Sequence, residues 1–192
     1  MKLADLRIAP EISAQIPAEF ETFFAEDAAS LLPRLPFDAY KNSRGRLLLA
    51  AGSARYPGAA KLAASAALRT GAGFVRLVTS ASGDFPPPVV LHEDSEQELL
   101  LSLPMVDAVA AGPGWGQDAS RKKQLEILID SGKPMVLDAD ALNLLAQMQG
   151  CHLPAECILT PHLGEAERLM PDLPEDRQEA ALALAKKYHC NT

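Results

Sequence analysis

The 192-residue chain is 48% hydrophobic and carries a net charge of −7, with a pI near 5.1. That length suits one domain with a short extension, whose core should bury roughly 70% of the unfolded surface. The acidic balance argues against a general nucleic-acid binder. It leaves room for small phosphates, which need only a few local cations and backbone amides. Cys151, Cys157 and Cys190, an odd number outside short pairing motifs, read as reduced thiols of a cytosolic protein. No apolar run predicts a membrane span, the first residues lack a signal-peptide core, and no internal repeat is visible.

Residues 1–40 hold Pro10, Pro17, Pro33 and Pro36 with two acidic clusters. They read as an arm or linker with a short helix over 18–31. From Leu47 the pattern becomes regular. Short apolar runs at 46–51, 74–78, 106–111, 134–137 and 156–159 have the length of buried strands and are bounded by turn residues. Between them, apolar residues recur at helical spacing over 57–70 (Ala59, Leu62, Ala63, Ala66, Ala67), 118–130 (Leu125, Leu128, Ile129) and 140–149 (Leu142, Leu145, Met148). A shorter helix is expected at 95–102, after the turn-rich segment 80–88 with Pro86, Pro87 and Pro88. A last helix is expected near 175–189, with Pro174 in its first turn. Strands alternating with helices imply βαβ units and a mainly parallel α/β sheet. A further strand is expected to begin where the chain stops.

In such sheets ligands bind beyond the carboxyl ends of the strands. The segments there are Gly52-Ser53 with Pro57-Gly58-Ala59-Ala60, then Gly112-Pro113-Gly114-Trp115-Gly116, Asp138-Ala139-Asp140-Ala141-Leu142-Asn143, and Thr160-Pro161-His162-Leu163-Gly164-Glu165. All four should share one edge. Their glycines let backbone amides approach an anion or a flat ring, although tight turns also require glycine. Trp115 reads as part of that contact or as a core anchor. Five residues separate Gly52 from Gly58, and no Lys-Ser/Thr pair follows, so this is not a phosphate-binding P-loop. Gly112-Pro113-Gly114 likewise breaks the dinucleotide spacing.

Asp140 reads as a helix cap or a site carboxylate. Asp138, at the end of an apolar run, should bond nearby amides, a ligand or a hydrated Mg2+. His162 reads as structural or as a ligand contact. Glu165 sits in a first helical turn, where an acid suits the helix dipole. Histidine and cysteine spacings predict no metal site, and no Gly-x-Ser-x-Gly elbow occurs.

Together these blocks resemble the NAD(P)H-hydrate dehydratases of the ribokinase-like superfamily. The first block runs from Gly45-Arg46-Leu47-Leu48-Leu49 through Gly52-Ser53 and Pro57-Gly58-Ala59-Ala60 to Ala67-Leu68-Arg69-Thr70-Gly71-Ala72-Gly73. Ala111–Gly116, Val136–Asn143 and Leu159–Glu165 follow in the family's order. The match covers roughly residues 40–192. The resemblance implies a three-layer, doubly wound sheet. It implies dehydration of the (6S)-hydrate of NADH or NADPH at the expense of ADP or ATP, with Mg2+. It also implies hydrate contacts at Ala59, Gly114 and His162, with Ala60 and Gly112 as neighbours; Asp138, Asp140, Asn143 and Glu165 are candidate site residues from their own place at the strand ends.

The family's His-Lys-Gly before the first strand is Tyr40-Lys41-Asn42 here. Its Lys-Gly segment for the adenine nucleotide and its Gly-Thr-Gly-Asp loop, which carries the catalytic base and anion hole, have no counterpart in 1–192. The expectation is therefore a C-terminally truncated dehydratase domain over 41–192, with the catalytic aspartate beyond residue 192. The arm over 1–40 resembles the linker after a fused epimerase domain in two-domain relatives. The expected partners are the hydrate and an adenine nucleotide, with a homo-oligomer and an attached or paired epimerase. Two other readings stay open: a ribokinase-like small-molecule kinase, and a non-catalytic nucleotide-binding fragment.

Overall fold

The computed structural model describes Gln15 and residues 24–32, 34–148 and 150–192. The chain divides into two compact units, Met1–Phe37 and Asp38–Thr192. In the first, helix α1 (Ala25–Leu31) starts where the Phe24 amide donates to the Asp27 carboxylate at 2.9 Å. Residues 18–23 of the helix expected there lie outside the described residues.

The second unit is a six-stranded parallel sheet. Its strands are β1 (Arg46–Ala50), β2 (Phe74–Val78), β3 (Val89–His92), β4 (Ala108–Ala111), β5 (Met135–Leu137) and β6 (Cys157–Leu159), in the order β3-β2-β1-β4-β5-β6. The connecting helices are α2 (Pro57–Arg69), α3 (Glu96–Ser102), α4 (Ala119–Asp130), α5 (Ala139–Leu145), α6 (Leu163–Leu169) and α7 (Arg177–Tyr188). No helix among the described residues is long and apolar enough to cross a membrane.

Strand side chains alternate between two faces. Leu48, Ala50, Val109, Ala111, Met135, Leu137, Cys157 and Leu159 meet α3 to α7 through residues such as Leu99, Leu125, Leu142, Leu169 and Leu184. Leu49, Val75, Leu77 and Val89 meet α2, whose Ala60 and Ala64 are fully buried. Their small side chains let that helix lie close to the strands. On the same face beyond α2, Val136 is 36% and Ile158 45% exposed.

The sequence pattern missed β3. Its run is only four residues long, follows three prolines, and carries exposed Val90 and Leu91 on an edge strand. Pro174 does not open α7. Asp176 does, accepting from the Gln178 amide at 2.9 Å and the Glu179 amide at 3.0 Å. An Asp side chain fills the orphan donors of a first turn, which a proline cannot do. Beyond α7, Asn191 forms a parallel bridge with Ile158 beside β6.

The cysteines are free thiols. Burial pushes the Cys157 thiol up to about 12, with Cys190 and Cys151 adding to the effect. The protonated form is therefore favoured in the fold. The stability this confers is complete below pH ~9 and is lost as pH rises toward 12. At pH 8 the native protein should leave Cys157 unmodified by a disulfide reagent that labels it readily in denaturant. Peptide mapping after timed labelling checks this, and rapid native labelling of Cys157 contradicts it.

Candidate functional site

The strand order reverses between β1 and β4, where successive connections diverge and open a crevice at the carboxyl edge. Two loops line it. The Gly52 amide donates to the Pro113 carbonyl at 2.8 Å, and the Gly112 amide to the Ala50 carbonyl at 3.0 Å. Gly114 has φ +62, and a Cβ there would lie 2.7 Å from the Ala59 Cβ and 2.9 Å from the Tyr56 Cβ. A Cβ at Gly52 would lie 2.6 Å from that of Ala60. Ala59, Ala60, Gly112 and Gly114, far apart in sequence, thus meet at the switch point. Gly112 is buried, and the space above it is filled by the Asp138 carbonyl and Ala141.

The two aspartates have separate roles. Asp138 follows β5, and its Oδ1 accepts from the Thr160 hydroxyl at 2.9 Å. It occupies the position before α5 without a side-chain cap bond. Asp140 lies inside the first turn, so the reading of Asp140 as a helix cap is corrected. Its Oδ2 accepts from the Gly116 amide at 2.8 Å and its Oδ1 from Gln117 Nε2 at 2.7 Å. Ala139 between them has φ +47, a left-handed conformation that an L side chain pays to adopt. That twist turns consecutive carboxylates toward different neighbours, Asp138 to β6 and Asp140 to the β4 loop.

Glu165 is buried and its Oε2 accepts from the His162 amide at 2.9 Å, with Oε1 3.3 Å from His162 Nε2. It does more than sit in the dipole of its helix: it closes the first turn of α6 and orients the imidazole, whose side chain is 67% exposed. Asn143 donates to the Ala139 carbonyl at 3.1 Å and accepts from Arg168 Nε at 2.7 Å.

Two hollows adjoin the edge. One of about 410 Å3 lies on the α2 face of the sheet, lined by Leu49, Ala63, Ala110, Val136, Asp138 and Thr160. The other, about 570 Å3, opens between β6, α6 and α7, lined by His162, Leu163, Leu173, Arg177 and Leu184. Thr160 lines both. His162 therefore shares the sheet edge with the glycine loops, but its own contacts lie within its helical turn and the second hollow.

Sequence reading missed the support of the Gly112–Gly116 loop. Trp115 is 1% exposed, which settles it as an anchor. Its indole lies against the Arg121 guanidinium, 5.5 Å from ring centroid to Cζ. Arg121 pairs in a fork with Asp94 and donates to Gln124 Oε1 at 2.8 Å. Burial alone would push the Asp94 carboxyl up, but hydrogen bonds and charge from Arg121, with help from Gln124 and Ser80, hold it below the usual range. Tyr56, half-exposed on the rim beside Gly114, was also missed. Its only sequence signal was its place before Pro57-Gly58.

Among the described residues, no group of three His, Cys, Asp or Glu side chains converges as a metal site. The oxygens of Asp140 hold the β4 loop, and Asp138 holds Thr160. With both carboxylates engaged in this way, the described residues do not converge as a Mg2+ site.

In open parallel α/β sheets, the loops at such a switch point are where nucleotides and cofactors are commonly bound. The model of the NAD(P)H-hydrate dehydratase family matches residues 47–191, and the chain belongs to that family. It is 37% identical over 181 residues to the bifunctional NAD(P)H-hydrate repair enzyme Nnr of Escherichia coli, covering 88% of this chain and 34% of that enzyme. The Nnr of Moorella thermoacetica is 33% identical over 209 residues, covering 98% of this chain and 39% of that one. Among solved structures, the ADP/ATP-dependent NAD(P)H-hydrate dehydratase of Bacillus subtilis, co-crystallised with ATP/Mg2+, superposes with a TM-score of 0.70 at 27% identity. It covers 90% of this chain and 66% of its own. The chain thus spans about a third of the length of these curated relatives.

Proposed function

We propose that this chain binds the (6S)-hydrate of NADH or NADPH in the crevice between the β1 and β4 loops. It would serve as the substrate-side part of a dehydratase that consumes ADP or ATP with Mg2+ and returns NAD(P)H. The observation that carries the reading is the close approach of Ala59 and Gly114 at the switch point, where a Cβ on Gly114 would lie only 2.7 Å from that of Ala59. Side chains that small leave a flat floor of backbone and methyl groups on which a nicotinamide ring can lie.

Helix α2 starts at that floor. Tyr56 precedes it without a side-chain cap bond, so a dinucleotide phosphate can take the place of the missing acceptor. His162, steadied by Glu165, offers a ring nitrogen to a polar group of the ligand. Asp138 and Thr160 close the side of the crevice with one hydrogen bond between them.

Titration calorimetry with (6S)-NADPH hydrate tests this. Saturable 1:1 binding is expected, weakened at least about 100-fold in Gly114→Val, a branched side chain forced into a left-handed position over Ala59. His162→Ala should cost about 10-fold, one exposed hydrogen bond. Undiminished binding to Gly114→Val, with the fold intact by circular dichroism, would place the site elsewhere. Turnover of the hydrate by residues 1–192 at the rate of a full-length relative would contradict the assignment of a substrate-side part only.

A further inference from the structure

We propose that Arg121 and Asp94 are positioning residues that hold the Gly112–Gly116 loop in its ligand-binding shape through Trp115. The inference rests on the hydrate site proposed above and deepens it.

The loop is pinned at two points. On one side the Asp140 carboxylate takes the Gly116 amide at 2.8 Å and Gln117 at 2.7 Å. On the other, Trp115 is driven into the core with 1% exposure, yet its indole Nε1 is buried without a hydrogen-bond partner. Nothing polar fixes the angle of the ring. What stands over the ring is the Arg121 guanidinium, its Cζ 5.5 Å from the ring centroid.

That guanidinium is itself immobilised. Both η nitrogens of Arg121 pair with Asp94, one also donates to Gln124 at 2.8 Å, and the other reaches Ser80 at 3.4 Å. The Arg121 and Asp94 side chains are 9% and 8% exposed. Arg121 Nε, like the indole nitrogen, has no partner. A buried pair with an orphaned donor is an expensive way to fill space, because apolar residues of similar volume pack as well or better. Its distinctive product is a rigid plane. Ser80 follows β2, Asp94 follows β3, Trp115 follows β4, and Arg121 and Gln124 lie on α4. The network therefore ties the ends of three strands to the ring adjoining Gly114. A lysine could keep the charge but offers neither the fork nor the face.

The test uses Trp115 as its own reporter, since it is the only tryptophan in the chain. Two variants are compared with wild type: the double replacement Asp94→Leu/Arg121→Met, which removes the buried charges together, and Arg121→Lys. Arg46→Gln, at the opposite edge of the sheet, is the control. The readouts are Trp115 emission, Gly116 amide exchange and (6S)-NADPH hydrate affinity.

We expect both site variants to unfold cooperatively, with red-shifted Trp115 emission, Gly116 exchange at least 10-fold faster and hydrate affinity at least 10-fold weaker. Arg46→Gln should match wild type in all three. If wild type does not bind the hydrate, the proposed ligand is wrong, and emission and exchange still decide the positioning role. If the double variant does not fold, Arg121→Lys decides alone. Unchanged emission and exchange in a folded variant would overturn the proposal, as would unchanged affinity for a hydrate that wild type binds.

Discussion

Gly112→Ala is expected to lower stability by about 4 kcal/mol or more, enough to unfold much of a domain of ordinary stability. Two independent costs add. Gly112 has φ +123, a region essentially closed to residues with a Cβ. That Cβ would also overlap the Asp138 carbonyl oxygen and come within 2.9 Å of the Ala141 Cβ. The obstacle is backbone at the start of α5, which cannot swing aside as a flexible side chain would. Gly58→Ala is the contrast. Its Cβ meets nothing within 4 Å and it sits in a helix, so the change should gain about 0.5–1 kcal/mol. Denaturant midpoints of the two variants measure both effects. A mild Gly112→Ala would mean that the β4 and β5 ends are not packed as described.

Asp94→Ala is expected to cost about 3–5 kcal/mol, because it leaves the Arg121 guanidinium buried without its counter-charge. Asp107→Ala, which breaks a pair with Arg46 that is 37% and 49% exposed, should cost far less. The difference should depend on pH in a defined direction. The Asp94 carboxyl titrates below its ordinary 3.8 in the fold. Its contribution is therefore complete above pH ~4 and is lost as pH falls through the depressed value. Urea melts of wild type and Asp94→Ala at pH 7 and pH 3 should show the gap narrowing on the acid side. A gap that widened there would contradict the pairing.

The parts legible in the sequence were those encoded locally. Each buried strand of the central sheet announced itself as a short apolar run between turn residues, and α2, α4 and α5 as repeats of three and four. Parallel strands then place the Gly52, Gly112, Asp138 and Thr160 segments on one edge, as expected. β3 escaped because an edge strand needs to bury only one or two side chains, and Val89 alone does so. What could not be read was any role set by distant neighbours. Asp140 has the local chemistry of a cap, yet its partners Gly116 and Gln117 lie 24 and 23 residues back. Arg121 looks like a surface cation in a Ser-Arg-Lys-Lys run, until β3 brings Asp94 against it from 27 residues away. Glycine carries the same ambiguity. Gly112 and Gly114 stand two residues apart in one motif, but Gly112 makes way for Asp138 and Gly114 faces Ala59 and Tyr56.

Whether the hydrate lies at the β1–β4 switch point is read most directly by amide exchange along the chain with and without (6S)-NADPH hydrate. Protection is predicted at 52–60 and 112–117, with a smaller effect near His162 and none in α7. Protection confined to α6 and α7 around the 570 Å3 hollow, or none anywhere at saturating ligand, would contradict it.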